Sequence, residues 1–274
     1  MTVGPPETPF VWVEQQLREL DLVFSRFRAD SELSRFNASA GDWLEVSGRM
    51  HGLLEHALGV AIASRGLVNV SVLDALLDAG YVRSWFFGAP EQSEQMQRYP
   101  ARVLPLTSVL ELQERRARLA PGHSLDFGAI AKGLWADEFA AALGVNAACN
   151  LGGDLKCRGE GPDGAGWPVR LSDGEVILVR NAAVATSGTG KRRWGRDQHH
   201  LIDPRTGRPA RSDVSHATVI ASNATTADWI ASAAVVGGSS AVEFFANRAT
   251  LLEIRTEPVD QAQGAEQGVP HELD

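Results

Sequence analysis

From Ala147 to Ala221 the chain is mostly short apolar stretches joined by tight polar turns, and this constrains the fold more than any other feature. "AACNLGGDLKCRG" reads as a strand, a glycine turn and a second strand. "WPVRL", "EVILVR", "AAVATSG" and "HATVIAS" read as further strands. A parallel pair needs a long crossover, and most of these connections are short. The expected class is α+β, a largely antiparallel sheet with packed helices, and not a doubly wound parallel sheet.

Helical periodicity flanks this block. Val13, Leu17, Leu20, Phe24 and Phe27 predict an amphipathic helix over Phe10 to Arg28. Ser31 and Ser47 are candidate caps, the second for a helix with Met50, Leu53, Leu54, Ala57, Leu58, Ala61 and Ile62 on its apolar side. "GLVNVSVLDALLDAGY" passes from an extended piece into a helix that stops at Gly80, and residues 83–107 read as a long surface connection. "SLDFGAIAKGLWADEFAAALG" is a turn entering a helix closed by Gly144. "NATTADWIASAAVVGG" is a capped helix, "SAVEFFANRA" another, and "TLLEIRT" a closing strand. No internal repeat or boundary divides residues 1–256, which are expected to form one domain, with 257–274 a loose polar tail.

Composition narrows the function. With 274 residues and 44% hydrophobic content the chain can build a large core. Its formal charge of −8 argues against a nucleic-acid surface. An anionic ligand would then need a local device such as a metal ion or a helix N-terminus. Cys149 and Cys157 match no zinc or redox spacing. No apolar run approaches the ~20 residues of a transmembrane helix. "MTVGPPETPFVWVEQQ" lacks the parts of a signal peptide, so a cytoplasmic protein is expected.

Five stretches hold residues suited to chemistry. In "LDFGAIAKG", Asp126 and Lys132 surround small residues at a helix start, which fits either a phosphate site or a capping aspartate with an exposed lysine. "NLGGDL" is a hairpin with Asp154 in its turn, or a place where a ligand lies on bare glycine backbone. "ATSGTGKRRW" combines hydroxyls, glycines and three cations, as an anion site or a solvated basic turn would. Asp228 and Ser232 are four apart and share a helix face, which suits Mg²⁺ or a plain helix start. In "QHHLIDPRTGRPA", Pro204, Gly207 and Pro209 fix the backbone after His199 and His200, either of which is a structural ring or a base.

Taken in order, "FSRFRADSELSRFN", "LDFGAIAKG", "NLGGD", "ATSG", "HLIDPRTGRP" and "ATVIASNATTADWIASAAVVGG" resemble the ApbE-type FAD:protein FMN transferase family. The resemblance covers Phe24 to Gly238 and implies a single T-fold-like domain. It implies a Mg²⁺-dependent enzyme that moves FMN from FAD to a threonine or serine hydroxyl of a flavoprotein and releases AMP. FAD hydrolysis to FMN and AMP, or flavin binding without catalysis, are the alternatives. It places the metal at Asp228, Ser232 and the Ala129 carbonyl, FAD against Ala79, Gly80, Tyr81, Asp126, Lys132 and Ile202, and the catalytic histidine at His200. The family's usual first strand with Met-Gly-Thr is not seen, Ser232 replaces a threonine, Ala231 replaces an occasional carboxylate, Gly190 replaces an aromatic, and "NVSV" replaces Asp-Pro-Thr-Val.

Overall fold

A computed structural model describes residues 8–84, 103–190, 192–195 and 197–256. Its centre is a five-stranded sheet in the order Thr250–Thr256, Val214–Ala221, Ala183–Gly188, Asp154–Arg158, Ala147–Leu151. Every neighbouring pair is antiparallel, although only Ala147–Leu151 and Asp154–Arg158 are joined by a tight turn and the other links are long. Side chains alternate across the sheet. One face, including Ala185 and Val219, joins the main core beneath the helices Ala131–Leu143 and Ala224–Gly237. The other packs Cys157 and Val184 against Val179 and Trp167 of a separate hairpin, Trp167–Arg170 with Val176–Val179. Both cysteines are buried, and burial pushes each thiol up to about 11, which leaves them as packing groups.

The capping expectations hold. Ser31 accepts from the Ser34 amide at the start of Glu32–Ala38, and Ser47 accepts from Met50 at the start of Gly48–Ala63. Met50, Leu53, Leu54, Ala57 and Ala61 are buried, whereas Ile62 is 67% exposed. The first helix is shorter than its periodicity predicts. It spans Pro9–Phe24, and Ser25 turns extended. Only Leu20 and Phe24 are buried along it, while Leu17 and Phe27 stay exposed. The ring of Phe24 is fixed against Phe127 and Trp135, and the following residues leave the helix to reach another part of the molecule.

Two further elements go beyond expectation. The short helix Leu106–Val109 begins inside the expected connection 83–107, with Leu106 buried, and 85–102 of that connection lie outside the described residues. Leu110–Gln113 and Arg116–Leu119 form a small sheet with the much earlier Leu44–Glu45. The helix Leu73–Asp78 ends as expected at Gly80, whose φ is +99°. The expected N-terminal departure and the polar tail from residue 257 lie outside the described residues. Among the described residues, no helix is long and apolar enough to cross a membrane.

Candidate active site

The helix Ala224–Gly237 is the most enclosed helix among the described residues, with 11 of its 14 residues buried. Its sequence is apolar nearly all round, the pattern of a helix enclosed by protein. Asp228 and Ser232 interrupt that pattern, both almost fully buried. Buried polar groups need partners. Asp228 Oδ2 accepts from the Gly133 amide at 3.1 Å and lies 3.5 Å from Lys132 Nζ. The Ser232 hydroxyl meets that of Ser187 at 2.9 Å.

These contacts depend on one missing side chain. A Cβ at residue 133 would stand 2.5 Å from the Ala224 carbonyl oxygen and 2.8 Å from Asp228 Cβ. Glycine there lets the two helices touch, so the positive end of Ala131–Leu143 meets the carboxylate. Asp137 of that helix accepts from the amides of Ala224 and Thr225, which fixes the start of Ala224–Gly237.

Lys132 bonds Asp154 Oδ2 at 2.5 Å. Asp154 opens its strand after a two-residue turn in which Gly152 and Gly153 have φ of +67° and +109°, as a tight hairpin requires. "NLGGD" is therefore a hairpin that also aims a buried carboxylate. Burial alone would lower the Lys132 ammonium, but Asp228 and Asp154 outweigh it and hold it above the ordinary lysine value. Burial raises Asp228 to about 7, against the pull of Lys132, whose short contact is with Asp154. A buried carboxylate this short of countercharge favours a cation. The donors beside it are oxygens: the Ser232 hydroxyl, and backbone near Ala129 in the same cleft. Among the described residues no cluster of three or more His, Cys, Asp or Glu is present, so a metal would have to keep other ligands. That fits a hard cation retaining waters or phosphate oxygens.

The two histidines have separated roles. His199 is buried, its Nε2 is 3.0 Å from the Ala210 carbonyl, and its Nδ1 accepts from the Leu201 amide. Burial pushes its pKa down, and these bonds hold the ring in the frame of the turn. His200 faces the cleft, and its Nδ1 is buried without a hydrogen-bond partner among the described residues. Burial, then the charge of Arg192, then His199 push its pKa down to about 3, so the ring is neutral at pH 7. Asp203 and Arg205 brace the turn through a two-pronged pair, with Arg205 also donating to the Val236 carbonyl.

The cleft holds about 1180 Å³ of empty space counted out to its mouth. His200, Tyr81, Asp126, Lys132, Ile202, Ala129, Asp228 and Ser232 all border it. Ala79 and Gly80 do not. They form the turn behind Tyr81, where the Ala79 carbonyl accepts from Trp194 Nε1 at 2.8 Å. Asn37 of "SRFN" clamps Leu125 through its amide and carbonyl, which holds Asp126 at the cleft. Arg26, Phe27, Asp154, Ser187 and Arg192 also border it. Asp154 stands out in "NLGGDL", whereas Arg26, Phe27, Ser187 and Arg192 lie inside quoted motifs whose spacing marks none of them individually as a site residue.

Residues 11–254 match the ApbE family. The FAD:protein FMN transferase of Treponema pallidum is 32% identical over 81% of this chain and 69% of its own. That of Haemophilus influenzae is 28% identical over 89% and 78%. Among solved structures, the apo flavinyl transferase ApbE of Pseudomonas stutzeri superposes with a TM-score of 0.77 at 25% identity, over 93% of this chain and 86% of its own. The ApbE protein of Thermotoga maritima gives 0.78 at 26%, over 93% and 88%. With the family match over residues 11–254 and an antiparallel sheet that superposes on solved ApbE structures, the chain belongs to the ApbE family.

Proposed function

We propose that this protein cleaves the pyrophosphate of FAD and transfers FMN to a threonine or serine hydroxyl of a target flavoprotein, with AMP leaving. The observation that carries the reading is one cleft in which a neutral histidine with a free ring nitrogen faces a buried oxygen site and two cations, Lys132 and Arg192. The names of the relatives support the reaction class.

The acceptor hydroxyl oxygen attacks the FMN-side phosphorus. The bond from that phosphorus to the bridging oxygen breaks, and AMP keeps its electron pair. His200 takes the hydroxyl proton. In the empty cleft its pKa of about 3 makes it a weak base. Phosphate charges would offset the field of Arg192 and Lys132, which, after burial, lowers that pKa. Lys132 and Arg192 hold the pyrophosphate, while Tyr81 and Ile202 form the apolar wall that orients the flavin nucleotide. Mg²⁺ at Asp228, Ser232 and the Ala129 carbonyl would neutralise charge on the pyrophosphate oxygens.

The test is incubation with FAD, MgCl₂ and candidate acceptor flavoproteins, with AMP release and protein-bound flavin followed together. Equal amounts of the two products support transfer. AMP without bound flavin for every acceptor points to FAD hydrolysis. Neither product, with FAD still bound, leaves a flavin-binding protein.

A further inference from the structure

Arg26 lies where four distant segments meet, and its role rests on the FAD site proposed above. Its side chain is 5% exposed, yet it borders the cleft. Nε forms an ion pair with Asp126 Oδ2 at 2.7 Å, an approach without hydrogen-bond geometry. The other Asp126 oxygen accepts from the Gly128 amide at 2.8 Å, so both carboxylate oxygens are held. A terminal nitrogen of Arg26 donates to the Tyr81 carbonyl at 2.8 Å. The guanidinium carbon is 4.1 Å from the Phe27 ring centroid and 4.7 Å from that of Tyr81. Tyr81 stacks on Trp194 at 5.4 Å, and Trp194 bonds back to Ala79.

We propose that Arg26 is a positioning residue that locks the Asp126 carboxylate and the Ala79–Tyr81 turn into one wall of the nucleotide site. Only a planar fork with an aromatic-stacking face meets a carboxylate, a carbonyl and two rings together. A lysine ammonium is a point charge and reaches one of these partners at a time. Tyr81 and Trp194 form a small apolar cluster apart from the main core. Loosening the clamp therefore opens the cleft wall and leaves the core packed.

The experiment uses the full chain with Arg26→Lys, Arg26→Ala and Asp126→Asn, and with Arg28→Gln as an exposed control whose partners are Asp21 and Asp30. FAD affinity is read from flavin fluorescence, kcat and KM from AMP release, and folding from thermal melting. Both Arg26 variants should raise Kd and KM for FAD by about 10–100-fold, the range for one charge-assisted contact. Their kcat should stay within about threefold, and Arg28→Gln should match wild type. Millimolar methylguanidinium should restore KM in Arg26→Ala and leave Arg26→Lys unchanged. Combining Arg26→Ala with Asp126→Asn should cost less than the sum of the two. Wild-type KM in Arg26→Lys overturns the inference alone. So does a lowered melting temperature in Arg26→Ala with no methylguanidinium rescue. Wild-type protein that neither binds FAD nor releases AMP overturns the functional reading, and this inference with it.

Discussion

His199 and His200 are adjacent in the chain and opposite in environment, and their substitution should separate them. His200→Ala should lower AMP release by about 10²–10⁴-fold, the usual worth of a positioned base. His199→Ala should lower the melting temperature, because it removes the link from the turn to the Ala210 carbonyl. An unchanged rate in His200→Ala would move the base elsewhere. The depressed His200 pKa also predicts a pH effect on folding. The unfolded ring takes a proton below about 6.5, and the folded cleft refuses it until about 3. Stability therefore falls as pH drops through that window, and His200→Gln should show a shallower fall in urea titrations across it. Asp228→Ala should abolish Mg²⁺-dependent turnover and the rise in melting temperature on adding MgCl₂, while circular dichroism shows the fold retained. Full activity there would place the cation elsewhere.

At the scale of the element, the two central helices act as one device. Asn223 caps Ala224–Gly237 by accepting from the Thr226 amide, and Asn223→Ala should cost ~1 kcal/mol in denaturant melts. Gly133→Ala should cost more, ~1–3 kcal/mol, since its methyl group meets backbone and Asp228 Cβ. Its activity loss should exceed what the stability loss explains, because the Gly133 amide and Lys132 move off the carboxylate together. The capping asparagine and the apolar pattern made Ala224–Gly237 legible in the sequence. Periodicity overran the first helix because Phe27 fits its phase, although Arg26 has to leave that helix to reach Asp126. The strands Leu110–Gln113 and Arg116–Leu119 are four residues each with charged members, too short for an alternation to stand out.

At the scale of the whole molecule, the cleft is assembled from segments far apart in sequence. Ligand binding should therefore stabilise them as a unit. FAD with MgCl₂ at 100 times its dissociation constant should add ~2.7 kcal/mol by mass action. Hydrogen exchange should slow jointly around residues 79–81, 126–132, 186–190 and 198–202. Protection confined to one of these segments would contradict a shared site.

The sequence by itself determined the antiparallel class, the caps and the identity of the central helix, because these follow from local period and turn chemistry. It also held, through the order of its motifs, the resemblance that placed His200 and Asp228. Tertiary structure alone decided which groups touch. It paired Asp154 with Lys132, sent His199 into the frame, left a ring nitrogen of His200 free, and drew Arg26 across to Asp126. Those outcomes depend on burial and on contacts between residues 11 to 100 positions apart, which no local pattern encodes.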